Sequence, residues 1–183
     1  MFDTLQALLW GVTYVLILLA SVKGRTQGKP SIPYIALVLN FAWEVCALIQ
    51  SRGFWIHILW LSLDIGILAF GFAFLADRKR KMIMLAKTLS MLVLLSAIFS
   101  MESGMLISVF VIDLIMAAAF LIQARSLSRV LQMPIAVTKL LGDFFAGLYY
   151  FVYSPIVLGL AVATLVVNLL YFCRCLKIRK QRL

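Results

Sequence analysis

A single histidine leaves this chain without the His/Cys spacings from which transition-metal sites are built. Its three cysteines, Cys46, Cys173 and Cys175, are too few and too close to apolar sequence for a disulfide framework, so free thiols are expected. Charge is scarce as well: 13% of the residues are charged against 64% hydrophobic, and mean hydropathy is +1.08, a composition that excludes a soluble globular protein. Long polar stretches are also missing. Seven bilayer spans of about 20 residues would use about 140 positions, which leaves short loops and tails and no room for an extramembrane domain. The net charge of +10 raises the question of nucleic acid, but the basic residues lie in clusters between apolar blocks, where membrane insertion accounts for them. Nucleic acid is therefore excluded as a partner, and the lipid bilayer takes its place.

What is present is a succession of apolar runs. They predict an all-α integral membrane bundle of seven transmembrane helices, a single domain over 1–183, with spans at 2–22, 32–51, 54–76, 82–100, 105–124, 133–153 and 155–173. The breaks carry turn signals: KGRTQGKPS after the first span, DRKRK after the third, Ser103-Gly104 and Ser154-Pro155 later on. Loops this short make neighbouring helices antiparallel. No internal repeat is visible, although seven helices leave room for a three-plus-one-plus-three arrangement. Lys23, Arg25, Lys29, Arg78, Lys79, Arg80, Lys81, Arg125, Arg129, Arg174, Lys177, Arg179, Lys180 and Arg182 all fall on one side, against Arg52 on the other. The positive-inside rule then puts the C-terminus in the cytoplasm and the N-terminus outside. The first span follows Asp3 with no basic residue before it, so it lacks a signal-peptide n-region and is expected to be retained.

Ionisable groups inside spans are the functional candidates, because a charge at mid-bilayer costs about 2.5–3.5 kcal/mol on insertion scales. Glu44, Asp64, Asp113 and Asp143 qualify, on four different helices and at compatible depth. A shared polar cavity satisfies them most economically. Asn40 and Glu44 form an i,i+4 pair beside Trp43; His57, Trp60 and Asp64 follow one face of span three; Lys139, Asp143 and Tyr150 share a face of span six; span seven adds Asn168. Each also has a plainer reading. Buried Asp, Glu and Asn serve as interhelical hydrogen-bond partners, which suits Asp113 best. Lys139 and Asp143 read as an ion pair, Lys87 as a snorkelling residue, His57 as a wet-surface histidine, and Trp10 and Trp55 as lipid or interface anchors. The Cys173–Cys175 pair reads as plain membrane-edge cysteines or as a palmitoylation site.

A carboxyl group in an apolar pocket stays protonated because desolvation disfavours the anion. It can then protonate an alkene or epoxide while aromatic faces stabilise the resulting cation. Glu44, flanked by Asn40 and Trp43 and faced by Trp60, Tyr149 and Tyr150, fits that description. The same parts would serve a transported substrate.

The stretch Asn40-Phe41-Ala42-Trp43-Glu44 resembles the N-x-x-W-E motif of the small seven-helix membrane terpene cyclases of fungal meroterpenoid and indole-diterpene pathways and their bacterial relatives. The segments LDIGILAFGFAFL, KLLGDFFAGLYYFVYSP and SPIVLGLAVATLVVN, followed by a basic tail, are similar to the corresponding parts of paxilline-type cyclases. The resemblance implies a membrane-embedded enzyme, in the plasma membrane of a bacterium or the endoplasmic reticulum of a fungus. Its reaction would be cyclisation of a prenylated substrate, started by protonation, without metal, other cofactor or loss of diphosphate. It maps the proton donor to Glu44. Its second acid falls on the last helix, where this chain has Asn168 instead: either Asp143 or Asp64 supplies the second carboxylate from another helix, or initiation differs, or the chain is no cyclase. The DDxxD and DxDD motifs of soluble terpene synthases and cyclases are absent.

Three further classes remain to be weighed. A small proton-coupled transporter would use the same midplane carboxylates as a relay, though no matched pair of Pro/Gly-broken spans is present. A retinal-binding protein is excluded because no lysine occurs between Pro155 and Cys173 for a Schiff base. A scaffold subunit would use its carboxylates for helix association alone.

Overall fold

The computed structural model describes residues 2–24, 29–50, 55–73, 78–101, 104–150 and 154–181. Among them are seven α-helices and no strand: α1 (Phe2–Gly24), α2 (Tyr34–Gln50), α3 (Trp55–Ala73), α4 (Arg78–Phe99), α5 (Gly104–Gln123), α6 (Gln132–Tyr150) and α7 (Pro155–Lys180). Four of them, α1, α4, α5 and α7, are long and apolar enough to cross a membrane, and α2 and the first part of α3 are shorter apolar helices. The expected span ends at Ser51, Phe54, Ala76 and Tyr153 lie outside the described residues, as do Arg25, Arg52, Ser103 and Arg182.

The local chemistry sets the helix ends. Helix α2 starts at Tyr34 rather than Ile32 because Pro33 disfavours helical backbone at the residue before it. Ser154 caps α7 by accepting from the Ile156 backbone N–H, and Pro155 occupies the first helical position, where no amide hydrogen is needed. At Gly104 a Cβ would collide with the Ile98 carbonyl, so the turn into α5 admits only glycine. Two expected loops are helical instead. Helix α4 begins at Arg78, and α7 continues past Cys173 to Lys180, so Arg78–Lys81 and Arg174–Lys180 are placed on helices. Lysine and arginine are good helix formers, and apolarity, the signal used to find the spans, ends before helicity does.

Helix packing follows a closed circuit. Helix α1 packs on α3, α3 on α2, α2 on α5, α5 on α7, α7 on α6, and α6 returns to α1. Helix α4 stands outside this ring against α2 and α5. Its buried residues, Met84, Thr88, Leu95 and Phe99, form one stripe, and the rest of its surface is exposed and largely apolar. The buried polar residues belong almost wholly to the ring helices: Thr13, Asn40, Glu44, His57, Asp64, Ser108, Asp113, Lys139, Asp143, Thr164 and Asn168. Leu8, Val93 and Ile122 are among the large apolar side chains left outside. This inside-polar, outside-apolar arrangement is the one a hydrocarbon solvent demands.

The ring order has a two-fold regularity. The first half runs α1-α3-α2 and the second α5-α7-α6, and the seams α2·α5 and α6·α1 correspond. The three-plus-one-plus-three arrangement is thus realised in the packing, with α4 as the linking helix. One intervening helix lets both halves run in the same sense.

The α6·α1 seam is pinned by a hydrogen bond of 2.8 Å from Thr13 Oγ1 to Thr138 Oγ1. A T13C/T138C variant in a background without the native cysteines is therefore expected to form a disulfide on mild oxidation, since bridged Cβ atoms stand about 3.5–4.5 Å apart. Maleimide labelling checks it: two thiols that both stay reactive after oxidation would contradict the closed ring.

Candidate active site

Two polar clusters face the interior of the ring. The first is built by α2 and α3 with help from α1 and α5. Glu44 is 2% exposed and His57 8%, and His57 Nδ1 lies 3.0 Å from Glu44 Oε2. One turn before Glu44, the Asn40 amide donates to Tyr14 Oη at 2.6 Å and to Asp64 Oδ2 at 2.7 Å, so both of its hydrogens are used and three helices are joined. Trp43 Nε1 donates to Ser108 Oγ of α5 at 3.1 Å. The charges of Glu44 and Asp64 act on each other.

The second cluster is built by α6 and α7. Lys139 Nζ donates to Asp143 Oδ2 at 2.8 Å, an i,i+4 pair inside one helix, and Asn168 Nδ2 of α7 donates to the same oxygen. All three residues are buried. Trp10 of α1 closes the cluster from across the seam: Lys139 Nζ lies 4.6 Å from the centroid of its ring. The indole leans toward the Asp143 carboxyl without closing a well-formed hydrogen bond to Oδ1. Asp113 of α5 is buried in the combined field of Asp143, Lys139 and Glu44.

Aromatic rings connect the two clusters. Successive centroids are 5.9 Å apart for Phe99 and Trp43, 5.8 Å for Trp43 and His57, 5.9 Å for His57 and Trp60, 6.3 Å for Trp60 and Tyr14, and 5.9 Å for Tyr14 and Trp10. This series of faces and edges leads from the Glu44 carboxyl to the Lys139 ammonium. Among the described residues, no three His, Cys, Asp or Glu side chains come together as metal ligands would.

Each expected residue now has a place. Glu44, Asn40, Trp43, Trp60 and Asp64 converge on the first cluster, and Asp143 and Asn168 on the second. Tyr149 and Tyr150 are drawn elsewhere: their rings pair with each other at 4.6 Å, and Tyr150 packs on Phe110 of α5 at 5.8 Å. The ion pair of Lys139 with Asp143 is present, Lys87 and Trp55 face outward, and the three cysteines are free. Two plain readings are corrected. His57 is no wet-surface histidine, because the Glu44 carboxyl and the rings of Trp43 and Trp60 enclose it. Trp10 is not an outward anchor, because the buried ammonium of Lys139 attracts its ring inward. Tyr14, Ser108 and Thr164 were not singled out in the sequence. Tyr14 stands one turn after Trp10 on α1, and that i,i+4 aromatic pair was the available signal.

A family profile for Pyr4-like transmembrane terpene cyclases matches residues 1–142. The match takes in the Asn40–Glu44 motif, Asp64, Asp113 and Lys139, stops one residue short of Asp143, and leaves α7 outside. No curated protein and no solved structure matches the chain. With the profile covering well over half of its length, the chain belongs to the Pyr4-like transmembrane terpene cyclases.

Proposed function

We propose that the protein cyclises a prenylated substrate by proton transfer from Glu44 to a double bond or an epoxide. The observation that carries this reading is a nearly fully buried glutamic acid, held by one histidine and set in a run of aromatic rings. With His57 Nδ1–H donating to Oε2, the acidic hydrogen resides on Oε1. Transfer of that proton generates a carbocation, or opens the epoxide to an alcohol and a cation, and neighbouring π bonds of the chain attack in turn to close rings. Trp43, Trp60 and Tyr14 offer π faces to the travelling positive charge. Loss of a proton from the final cation balances the reaction, and Asp64, held beside Glu44 by Asn40, is placed to accept it. No diphosphate leaves, so no metal is asked to ionise one.

The whole chain acts in this reading as one seven-span domain with its N-terminus outside. The basic ends of α1, α4 and α7 support it, since alternating helices bring Lys23, Arg78–Lys81 and Arg174–Lys180 to one side. Proton-coupled transport is favoured by one observation, the pairing of two three-helix halves around a linking helix, a layout in which transporters bind cargo at the interface of the halves. Membership of a cyclase family favours chemistry over transport.

The deciding assay supplies farnesyl- and geranylgeranyl-derived substrates and their epoxides to membranes containing the protein. Cyclic products are expected, and E44Q is expected to lower their formation by about 100-fold or more, in keeping with loss of a general acid. Undiminished product from E44Q removes Glu44 from the role, and substrate flux into proteoliposomes without chemical change establishes transport. A second comparison concerns His57. H57Q keeps an N–H for Glu44 Oε2 and is expected to retain more turnover than H57L. Equal rates in the two variants would show that the histidine only fills space.

A further inference from the structure

We propose that the second cluster binds a hydroxyl group of the substrate, through Asp143 Oδ1, Asn168 Oδ1 and the Thr164 hydroxyl. The rest of the ligand, a prenyl chain reaching toward Glu44, is taken from the cyclase reading above, on which this proposal rests.

These three oxygens are buried and have no hydrogen-bond partner. A polar atom left unpaired in such a place costs about 1–3 kcal/mol, so three within one neighbourhood need a reason. Asp143 and Asn168 are already bonded through Oδ2 and Nδ2, which leaves the second oxygen of each without a partner in the protein. The same bond fixes the Asn168 amide: flipped, it would set oxygen against oxygen. Thr164 precedes Asn168 by one turn, and Ala161, Thr164, Asn168 and Tyr171 form one buried stripe of α7. Its hydroxyl is unusual within this protein. Thr88 and Thr138 each return theirs to the backbone carbonyl four residues earlier, the ordinary solution inside a helix. Thr164 does not.

The kinds of atom define the ligand. An alcohol pairs two of the three groups at once: its hydrogen goes to Asp143 Oδ1 or Asn168 Oδ1 and its oxygen accepts from Thr164. A phosphate or diphosphate accepts only and would meet two acceptors, while the nearby cation, Lys139, is already engaged by Asp143 and Trp10. An ammonium donates only and would leave the Thr164 hydrogen unused. A bare hydrocarbon would leave all three oxygens unpaired. Position agrees with this assignment. By the two-fold regularity of the ring, α6 and α7 correspond to α2 and α3. The hydroxyl subsite and the acid therefore lie in opposite halves, with the aromatic run between them.

The test is equilibrium binding of geranylgeraniol and of geranylgeranyl methyl ether to the purified full chain in nanodiscs. The wild type is expected to prefer the alcohol on the order of 10- to 100-fold. T164S, which keeps the hydroxyl, should preserve the affinity for both compounds, and T164V should weaken both by about 10-fold while leaving the preference, which Asp143 and Asn168 set, in place. Because the hydroxyl has no partner without ligand, ligand-free T164V should melt no lower than the wild type. The proposal is overturned if neither compound binds, if the wild type does not distinguish them, if T164V binds both as tightly as the wild type, or if T164V melts lower or fails to fold. Cyclisation is scored separately. Cyclic product without alcohol preference sinks the subsite alone, and alcohol preference without cyclic product from any prenyl substrate sinks the cyclase reading alone.

Discussion

Hydrocarbon cannot hydrogen-bond, and this fold is shaped by that fact more than by any other. A carboxyl or amide placed at mid-membrane has to find its partner within the protein. Glu44 finds His57 across the α2–α3 contact, Asn40 finds Tyr14 and Asp64 on α1 and α3, and Asp143 finds Asn168 across α6 and α7. Apolar packing cannot choose among helix neighbours when lipid is as apolar as leucine. The polar bonds can, and they run along contacts of the ring. Helix α4, with Thr88 as its buried polar residue, is the helix that lies outside.

A closed ring of two similar halves would by itself present a symmetric interior. The side chains break that symmetry. On α2 the i,i+4 pair is Asn40 and Glu44, an amide and an acid without a strong base of opposite charge beyond His57. On α6 the corresponding pair is Lys139 and Asp143, whose charges cancel within one helix. Taking such a pair out of water rarely gains stability over an apolar replacement, so its retention at mid-helix points to use. Under the proposed function, one half would give up a proton and the other would hold a dipole still. An oily chain lying between them would then meet two different ends, so that ring closure begins at a single bond.

Much of this was legible in the sequence, and the limits are physical. Apolar runs located all seven helices, of which four are long and apolar enough to cross a membrane. They missed where α4 starts and α7 ends, because a helix can outlast its apolar stretch when Arg and Lys extend it. The i,i+4 spacing marked Asn40 with Glu44 and Lys139 with Asp143, and these pairs do sit together. Partners on other helices escaped the same reasoning. His57 stands within a turn of the start of α3, where a histidine by itself reads as interfacial, and only the neighbouring helix α2 reveals the carboxyl that buries it. Trp10 has the spacing of a lipid anchor, and its inward turn depends on a lysine 129 positions later in the chain. Tyr150 shares a face with Asp143 yet packs on Phe110, because it stands about two turns farther along α6.

The replacement on the last helix bears on which carboxylate works with Glu44. Where the family resemblance implies an acid on that helix, Asn168 stands, and its amide reaches Asp143 on α6. The carboxylate has in effect moved to the adjacent helix, but it has acquired two donors in the process: Lys139 and Asn168 both use Oδ2. Its other oxygen, Oδ1, is free of hydrogen bonds and belongs, in the proposal above, to the hydroxyl subsite. Asp64 receives a single amide hydrogen from Asn40 and lies in the field of Glu44. In the proposed reaction, a proton given up by Glu44 and recovered at Asp64 would stay within one half of the ring. From there it would return to Glu44 across the same cluster, restoring the acid for the next substrate without a path for water through the hydrocarbon.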